Sequence, residues 1–354
     1  MSRPAVAITG VGVVHAAVSG GAAALDAYLA APAPPPPDGA PDLTAHLGDG
    51  EARRLSRVCR LAVVAARQAL RDAGRDAGDS LALVVGTELG DLASTMDFAD
   101  GFLRRGPSGL SALLFPNTVM NTMAATTAIA VGARALALTL NAPAVAGELA
   151  VARAARAVAS GDVDAALAGG VDELDARVAW ALGQAGAAGQ VRGEGATFLL
   201  LENEASARAR GARILGRILG GAWQALPARP HGVGRRAEPR AVRAALDAAG
   251  TAPEDVGWIY CSASGDRARD AWERRLLDAA LAPARPPVSS LVARLGHHAG
   301  LGALRVAAAA WTARSGTLAG DPAGRGPSAV QGRGLVHAVA RGGTEVALVV
   351  GAAA

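Results

Sequence analysis

Short runs of Val, Leu, Ala and Ile closed off by glycine recur along this chain and constrain its fold more than any other feature. They are Ala5–Val14, Leu81–Gly86, Ala135–Leu140, Ala165–Val171, Thr197–Glu202, Val256–Cys261 and Glu345–Gly351. Apolar side chains do not alternate with polar ones in them, so each reads as a strand buried on both faces, as in a sheet covered by helices on both sides. Helical stretches lie between the runs. Glu51–Ala73 gathers Val58, Leu61, Ala62, Ala65 and Ala69 on one face opposite a run of arginines, and Val145–Ser160 does the same with Val145, Leu149, Ala152, Ala155 and Ala159. The alternation predicts an α/β architecture with a largely parallel sheet. Proline-rich Ala31–Pro41 and the stretch Gly320–Arg333 read as surface loops rather than linkers. Asp164–Asp172 and Glu345–Ala353 echo each other, a hint of two related halves meeting near Gly211.

Such a sheet needs a core, and 354 residues with 51% hydrophobic content supply one. Aromatics are only 3%, so Ala, Val and Leu must fill it. All 35 basic side chains are arginine, and the net charge of +4 permits an acidic partner without requiring one. The arginines are interspersed with acids and few aromatics accompany them, which argues against nucleic acid. Two cysteines, Cys59 and Cys261, cannot form a disulfide framework, so a reducing cytoplasm is expected. The opening MSRPAVAITGVGVV lacks a signal-peptide core, and no stretch reaches the roughly 18 uninterrupted apolar residues of a membrane helix. A soluble cytoplasmic protein is predicted. His15, His298 and His337 share no metal-ligand spacing with an acid or cysteine, so no metal and no cofactor is expected. Gly193-Glu194-Gly195 lacks the pattern of a phosphate loop.

Four segments in order resemble the β-ketoacyl synthase family: Val6–Val14 (VAITGVGVV), Gly161–Glu173 (GDVDAALAGGVDE), Gly193–Gly220 (GEGATFLLLENEASARARGARILGRILG) and Leu295–Ala303 (LGHHAGLGA). The resemblance implies a thiolase-like, five-layered αβαβα fold made of two duplicated halves, 1–211 and 212–354, that dimerises through an edge strand. It also implies where chemistry would sit. The family carries its acyl chain on a cysteine at a strand-to-helix turn, where a helix N-terminus lowers the thiol pKa, and two histidines assist decarboxylation and oxyanion stabilisation. In gap-free register the cysteine position is Ala144, whose methyl group cannot form a thioester. The first histidine falls at Ser262, the second is kept as His297, and the lysine before it falls at Val292. The gating Phe of the family's Gly-Phe-Gly-Gly-Thr turn falls at Arg341. Between Gly170 and Gly193 the chain is shorter than the family usually is, leaving only Val171–Arg192.

A ketosynthase-like chain without cysteine, first histidine, lysine and gating Phe resembles the chain length factor subunit of type II polyketide synthases. The resemblance implies a heterodimer with a cysteine-containing ketosynthase, paired through Ala135–Leu140, with acyl carrier protein engaged through the complex. It implies a wall for the acyl tunnel, placed by the same register at Leu89, Leu92, Thr95, Ala99, Leu114 and Thr118. The aromatic members of that class usually carry glutamine at the cysteine position, so Ala144 leaves a polyene-type or other reducing system open. Two other readings stand beside this one: a thiolase-fold acyltransferase or decarboxylase using Ser262 or His297, and a homodimeric acyl-binding scaffold. Cys261 reads as packing, because cysteine within an apolar strand is usually buried. Arg208–Arg217 reads as a solvated face, with carrier-protein contact the lesser reading.

Overall fold

A computed structural model of the chain describes residues 5–31, 39–43, 45–184, 191–320 and 327–353. Its ten principal strands are β1 (Val6–His15), β2 (Leu81–Thr87), β3 (Leu136–Asn141), β4 (Ala165–Asp172), β5 (Gly195–Asn203), β6 (Gly216–Ala225), β7 (Val256–Tyr260), β8 (Val288–Ser289), β9 (Arg333–Val339) and β10 (Thr344–Gly351). The helices that matter here are α1 (Arg57–Asp72), α2 (Leu92–Arg105), α3 (Thr122–Val131), α4 (Ala146–Ser160), α5 (Arg240–Ala249), α6 (Arg267–Leu281) and α7 (Ala299–Ser315). Hydrogen bonds join the strands in the order β3-β2-β4-β5-β1-β6-β10-β9-β7-β8. The first five and, read from the other end, the last five follow one plan, so the same βα unit is used twice. The halves meet where Val6, Ala7 and Ile8 of β1 pair with Ile218, Arg217 and Gly216 of β6.

Helices α4 and α7 form the middle layer, each packed against strands of both halves, with α1 and α3 outside one half-sheet and α5 and α6 outside the other. This is the thiolase-like αβαβα stack. Residues Ala299–Thr312 of α7 are all buried. Small side chains make that possible. A β-carbon on Gly147 of α4 would overlap the carbonyl oxygen of Ala299 and stand 2.9 Å from Gly302 Cα, so only glycine lets the two central helices touch there.

The sheet is mixed, not largely parallel. β5 runs antiparallel to β4 and β1, and β10 runs antiparallel to β9 and β6. For β10 the cause is local: four residues separate it from β9, enough for a hairpin and too few for a crossover helix. Besides the two-residue β8, two strands go beyond the apolar runs. In β6 (GRILGGAWQA) and β9 (RGLVHAV), arginine, glycine, glutamine or histidine interrupts the apolar pattern. β3 is the exception to double burial, with Leu136, Ala137 and Asn141 exposed, because it lies at the sheet edge. The loop Ala31–Pro41, the shortened Val171–Arg192 and the loop Gly320–Arg333 fall partly outside the described residues. No helix among the described residues is long and apolar enough to cross a membrane.

Candidate functional site

The first half converges on the turn between β3 and α4. Asn141 ends the strand and donates from Nδ2 to the carbonyls of Thr87 (3.2 Å) and Glu88 (3.0 Å), clamping the turn to the end of β2. The chain then reaches Ala144 at φ +66, a left-handed conformation that L-residues other than Asn and Asp rarely adopt. A strained elbow is therefore built at Ala144, whose side chain has no reactive atom. Ala144→Gly is expected to stabilise the chain by about 1 kcal/mol, since relief of the β-carbon strain exceeds the added entropy of the unfolded state. Urea denaturation would measure it.

The Ala144 amide does not face an open site. It donates to Oε1 of Glu88 at 2.8 Å. His297 Nε2 lies 2.5 Å from the same oxygen, and Arg192 Nη1 donates to Oε2 at 2.9 Å. Glu88 and His297 are each 4% exposed. Burial pushes the Glu88 carboxyl up, but His297 and Arg192 beside it outweigh burial and hold it well below the usual carboxylate range. Asp172 steadies the arrangement from behind. Its Oδ1 accepts from Thr87 Oγ1 (2.7 Å) and from the amides of Glu88 (3.0 Å) and Leu89 (3.2 Å), while Oδ2 accepts from the amide of Ala299 (2.7 Å) at the start of α7. Burial and the neighbouring Glu88 charge push Asp172 up to about 7. His298 stacks on His15 with ring centroids 5.6 Å apart, and burial drives its pKa well down, so it sits neutral in the core.

Ser262 belongs to a different cluster. Its side chain is fully buried, and its hydroxyl donates to Glu273 Oε1 at 2.9 Å while accepting from the amide of Val339 at 3.3 Å. His337 bridges Glu273 (Nδ1, 3.0 Å) and Glu345 (Nε2, 3.2 Å). Fold thus supplies the acids that sequence spacing did not, but on opposite nitrogens of one ring, which suits an ion-pair relay and not one metal ion. Among the described residues no group of three or more metal-ligating side chains is placed to hold a metal. Both oxygen-bonding capacities of Ser262 are committed, and its hydroxyl faces a carboxylate held low by His337 and Arg269. Cys261 is buried, and desolvation pushes its thiol up to about 12, the setting of an inert cysteine.

Arg341 turns away from the elbow. Its guanidinium grips Asp266, the residue capping α6, through Nε (2.5 Å) and Nη2 (2.7 Å), and also donates to the carbonyl of His231 at 3.0 Å. Val292 is buried in the apolar core. Leu89, Leu92, Thr95, Leu114 and Thr118 are half-buried and Ala99 is exposed, along α2 and the turns on either side of it. They share this region with exposed Phe102, Leu103, Leu110, Leu113, Phe115, Val119 and Met120, and its last turn packs against α3, which carries exposed Ile129 and lies beside edge strand β3. Most of the exposed large hydrophobic side chains among the described residues therefore lie in this region. Arg208–Arg217 is solvated but not idle: Arg208, Arg210, Arg213 and Arg217 pair with Glu204, Glu202, Asp72 and Glu204 of the same chain.

The residues that sequence reading passed over are Glu88, Arg192 and Asp172. One signal for Glu88 was available, an acid directly after the apolar run Leu81–Gly86. Its partners lie more than fifty residues away, so nothing local marks them.

Two family descriptions match the chain: Beta-ketoacyl synthase, N-terminal domain, over residues 38–207, and Beta-ketoacyl synthase, C-terminal domain, over residues 221–322. Among curated proteins, 3-oxoacyl-[acyl-carrier-protein] synthase 2 of Mycobacterium bovis is 31% identical over 276 residues, covering 71% of this chain and 66% of that protein. The enzyme of the same name from Synechocystis is 31% identical over 270 residues, 68% of this chain and 64% of that protein. The chain thus spans about two thirds of the length of the curated relatives it matches. Among solved structures, the ishigamide ketosynthase/chain length factor superposes with a TM-score of 0.87 at 24% identity, covering 99% of this chain and 100% of that one. A type II polyketide synthase acyl-carrier protein in complex with its ketosynthase bound to the hexaketide gives 0.83 at 18% identity, covering 99% and 100%. A β-ketoacyl synthase from Burkholderia phymatum gives 0.83 at 21% identity, covering 100% of each chain. At these identities the structural likeness carries the fold.

Proposed function

We propose, from the premise that this chain belongs to the β-ketoacyl synthase family, that it is a non-catalytic subunit of the chain-length-factor type: it pairs with a cysteine-containing ketosynthase and shapes that partner's acyl tunnel. The observation that carries the reading is Ala144 on a preserved elbow. The backbone holds a strained strand-to-helix turn at φ +66 while the side chain offers no nucleophile. A chain selected only to be a scaffold would have no reason to hold that strain, whereas a subunit that must match a ketosynthase across a shared interface inherits it with the fold.

The apolar face supports a partner. β3 is an edge strand with exposed Leu136, and an uncovered apolar edge is an aggregation liability. With Phe102, Leu103, Leu113, Phe115 and Ile129 beside it, this face suits an obligate interface of roughly 2,000 Å² or more. Leu89, Leu92, Thr95, Ala99, Leu114 and Thr118 then line the tunnel near that interface. Arg341, locked onto Asp266, replaces the mobile gate that an acylated site would need. Acyl carrier protein is engaged through the complex. The buried, unpaired Cys59 and Cys261 suit a reducing cytoplasm.

Co-expression with a cysteine-containing ketosynthase and carrier protein tests this. A stable heterodimer is expected, and Ala99→Phe in this chain should shift the products to shorter chains without stopping condensation, as overpacking one wall costs only about 1–3 kcal/mol locally. An acyl adduct on this chain alone, a stable monomer, or product lengths indifferent to bulk along α2 would each refute the reading.

A further inference from the structure

Glu88 does more than pair with a histidine. Its carboxylate meets three donors from three separate parts of the chain: the Ala144 amide at the elbow before α4, His297 just before α7, and Arg192 at the start of the β5 segment. Each oxygen is used, Oε1 by the amide and the imidazole, Oε2 by the guanidinium. Such a set of a backbone amide near a helix start, an imidazole and a guanidinium is a receptor for a carboxylate, and it would be costly to leave empty in the interior. Glu88 reaches it from a fourth element, the turn after β2. That turn is pinned by Asp172, which accepts from the amides of both Glu88 and Leu89 and also from the first turn of α7.

We infer that Ala144, His297 and Arg192 form a carboxylate-binding site, and that Glu88 is the internal ligand that keeps it closed. The site is then shut twice over. Ala144 offers no nucleophile, and Glu88 separately takes up the amide, imidazole and guanidinium that any other oxygen ligand entering there would need. The inference concerns this chain's own residues and requires neither a partner nor a product, so its failure leaves the subunit reading standing.

Glu88→Ala provides the test, because it deletes a methylene and a carboxylate, the atoms that free acetate restores. The full chain, alone or in the complex in which it purifies, is melted in sodium acetate, sodium chloride or acetamide. Acetate is expected to raise the melting temperature of the variant saturably, by about 2 °C at ten times its dissociation constant. Chloride at equal ionic strength and neutral acetamide should give no such rise, and wild type should not respond to acetate. A folded variant indifferent to acetate overturns the inference, as does an equal acetate response from wild type. Should Glu88→Ala fail to fold unaided, acetate in the refolding buffer should recover it where chloride does not. Equal recovery in both overturns the inference as well.

Discussion

Arg305→Met is expected to destabilise the fold by about 3–5 kcal/mol, while Arg305→Met combined with Glu148→Leu should recover most of that loss. The two side chains meet between the middle-layer helices, Arg305 on α7 at 1% exposure and Glu148 on α4 at 2%. Arg305 Nη1 donates to Glu148 Oε1. Removing the arginine strands a carboxylate in the dry centre of the molecule, where no water can replace the lost charge. Removing both leaves only a repacking problem. The pair is itself incompletely satisfied, since Nε and Nη2 of Arg305 find no protein partner among the described residues, so apolar replacements give up less than the short contact suggests. A four-cornered urea series would read the coupling. Additive single and double variants, with no recovery in the double, would show that the pair does not act as a unit.

The second large effect is on pH. Burial lowers the His337 pKa, but Glu273 and Glu345 on either side outweigh burial and raise it to about 9. Its folded pKa therefore lies above the unfolded value near 6.5. The stability it brings is fully present below about pH 6.5 and lost as pH rises towards 9, up to about 3 kcal/mol. Asp172 and Glu173, both pushed up to about 7, act in the same direction at lower pH. The folded state holds their protons longer than the unfolded state does, so their own contribution declines from about pH 4 to pH 7. Below about pH 7 the buried His15 and His298, whose pKa values burial lowers, work against the two acids, so the test is above it: denaturation midpoints should fall as pH rises from about 7 to 9.5, and His337→Gln should flatten that fall. A profile that rises over this range would contradict the assignment.

These two networks also show what could be read before folding was known. Seven strands were legible because their apolar runs are uninterrupted, and α1 and α4 because apolar residues recur at helical spacing. β6 and β9 were not, because Gly220-Gly221 and His337 break the runs for reasons that emerge only in three dimensions. His337 is buried between two glutamates that the chain supplies from α6 and β10. That Ala144, Ser262 and Val292 cannot act as a cysteine, an imidazole or an amine needed only residue type. What occupies the emptied site did not follow from residue type, since Glu88, Arg192 and His297 lie far apart in sequence and nothing local links an acid after one strand to an arginine before another. The mixed sheet escaped for a similar reason, as buried strands look alike whichever way they run.

The interlocked middle layer has a consequence for how the chain can come apart. α4 belongs to the first half and α7 to the second, yet each is packed against strands of both. Neither half could keep its inner sheet face covered after losing the other, so the duplicated units are not separable modules. The plan present twice in the sheet opens and closes as one, and its amides at Val151 and Val306 are expected to exchange with solvent only when the whole chain unfolds.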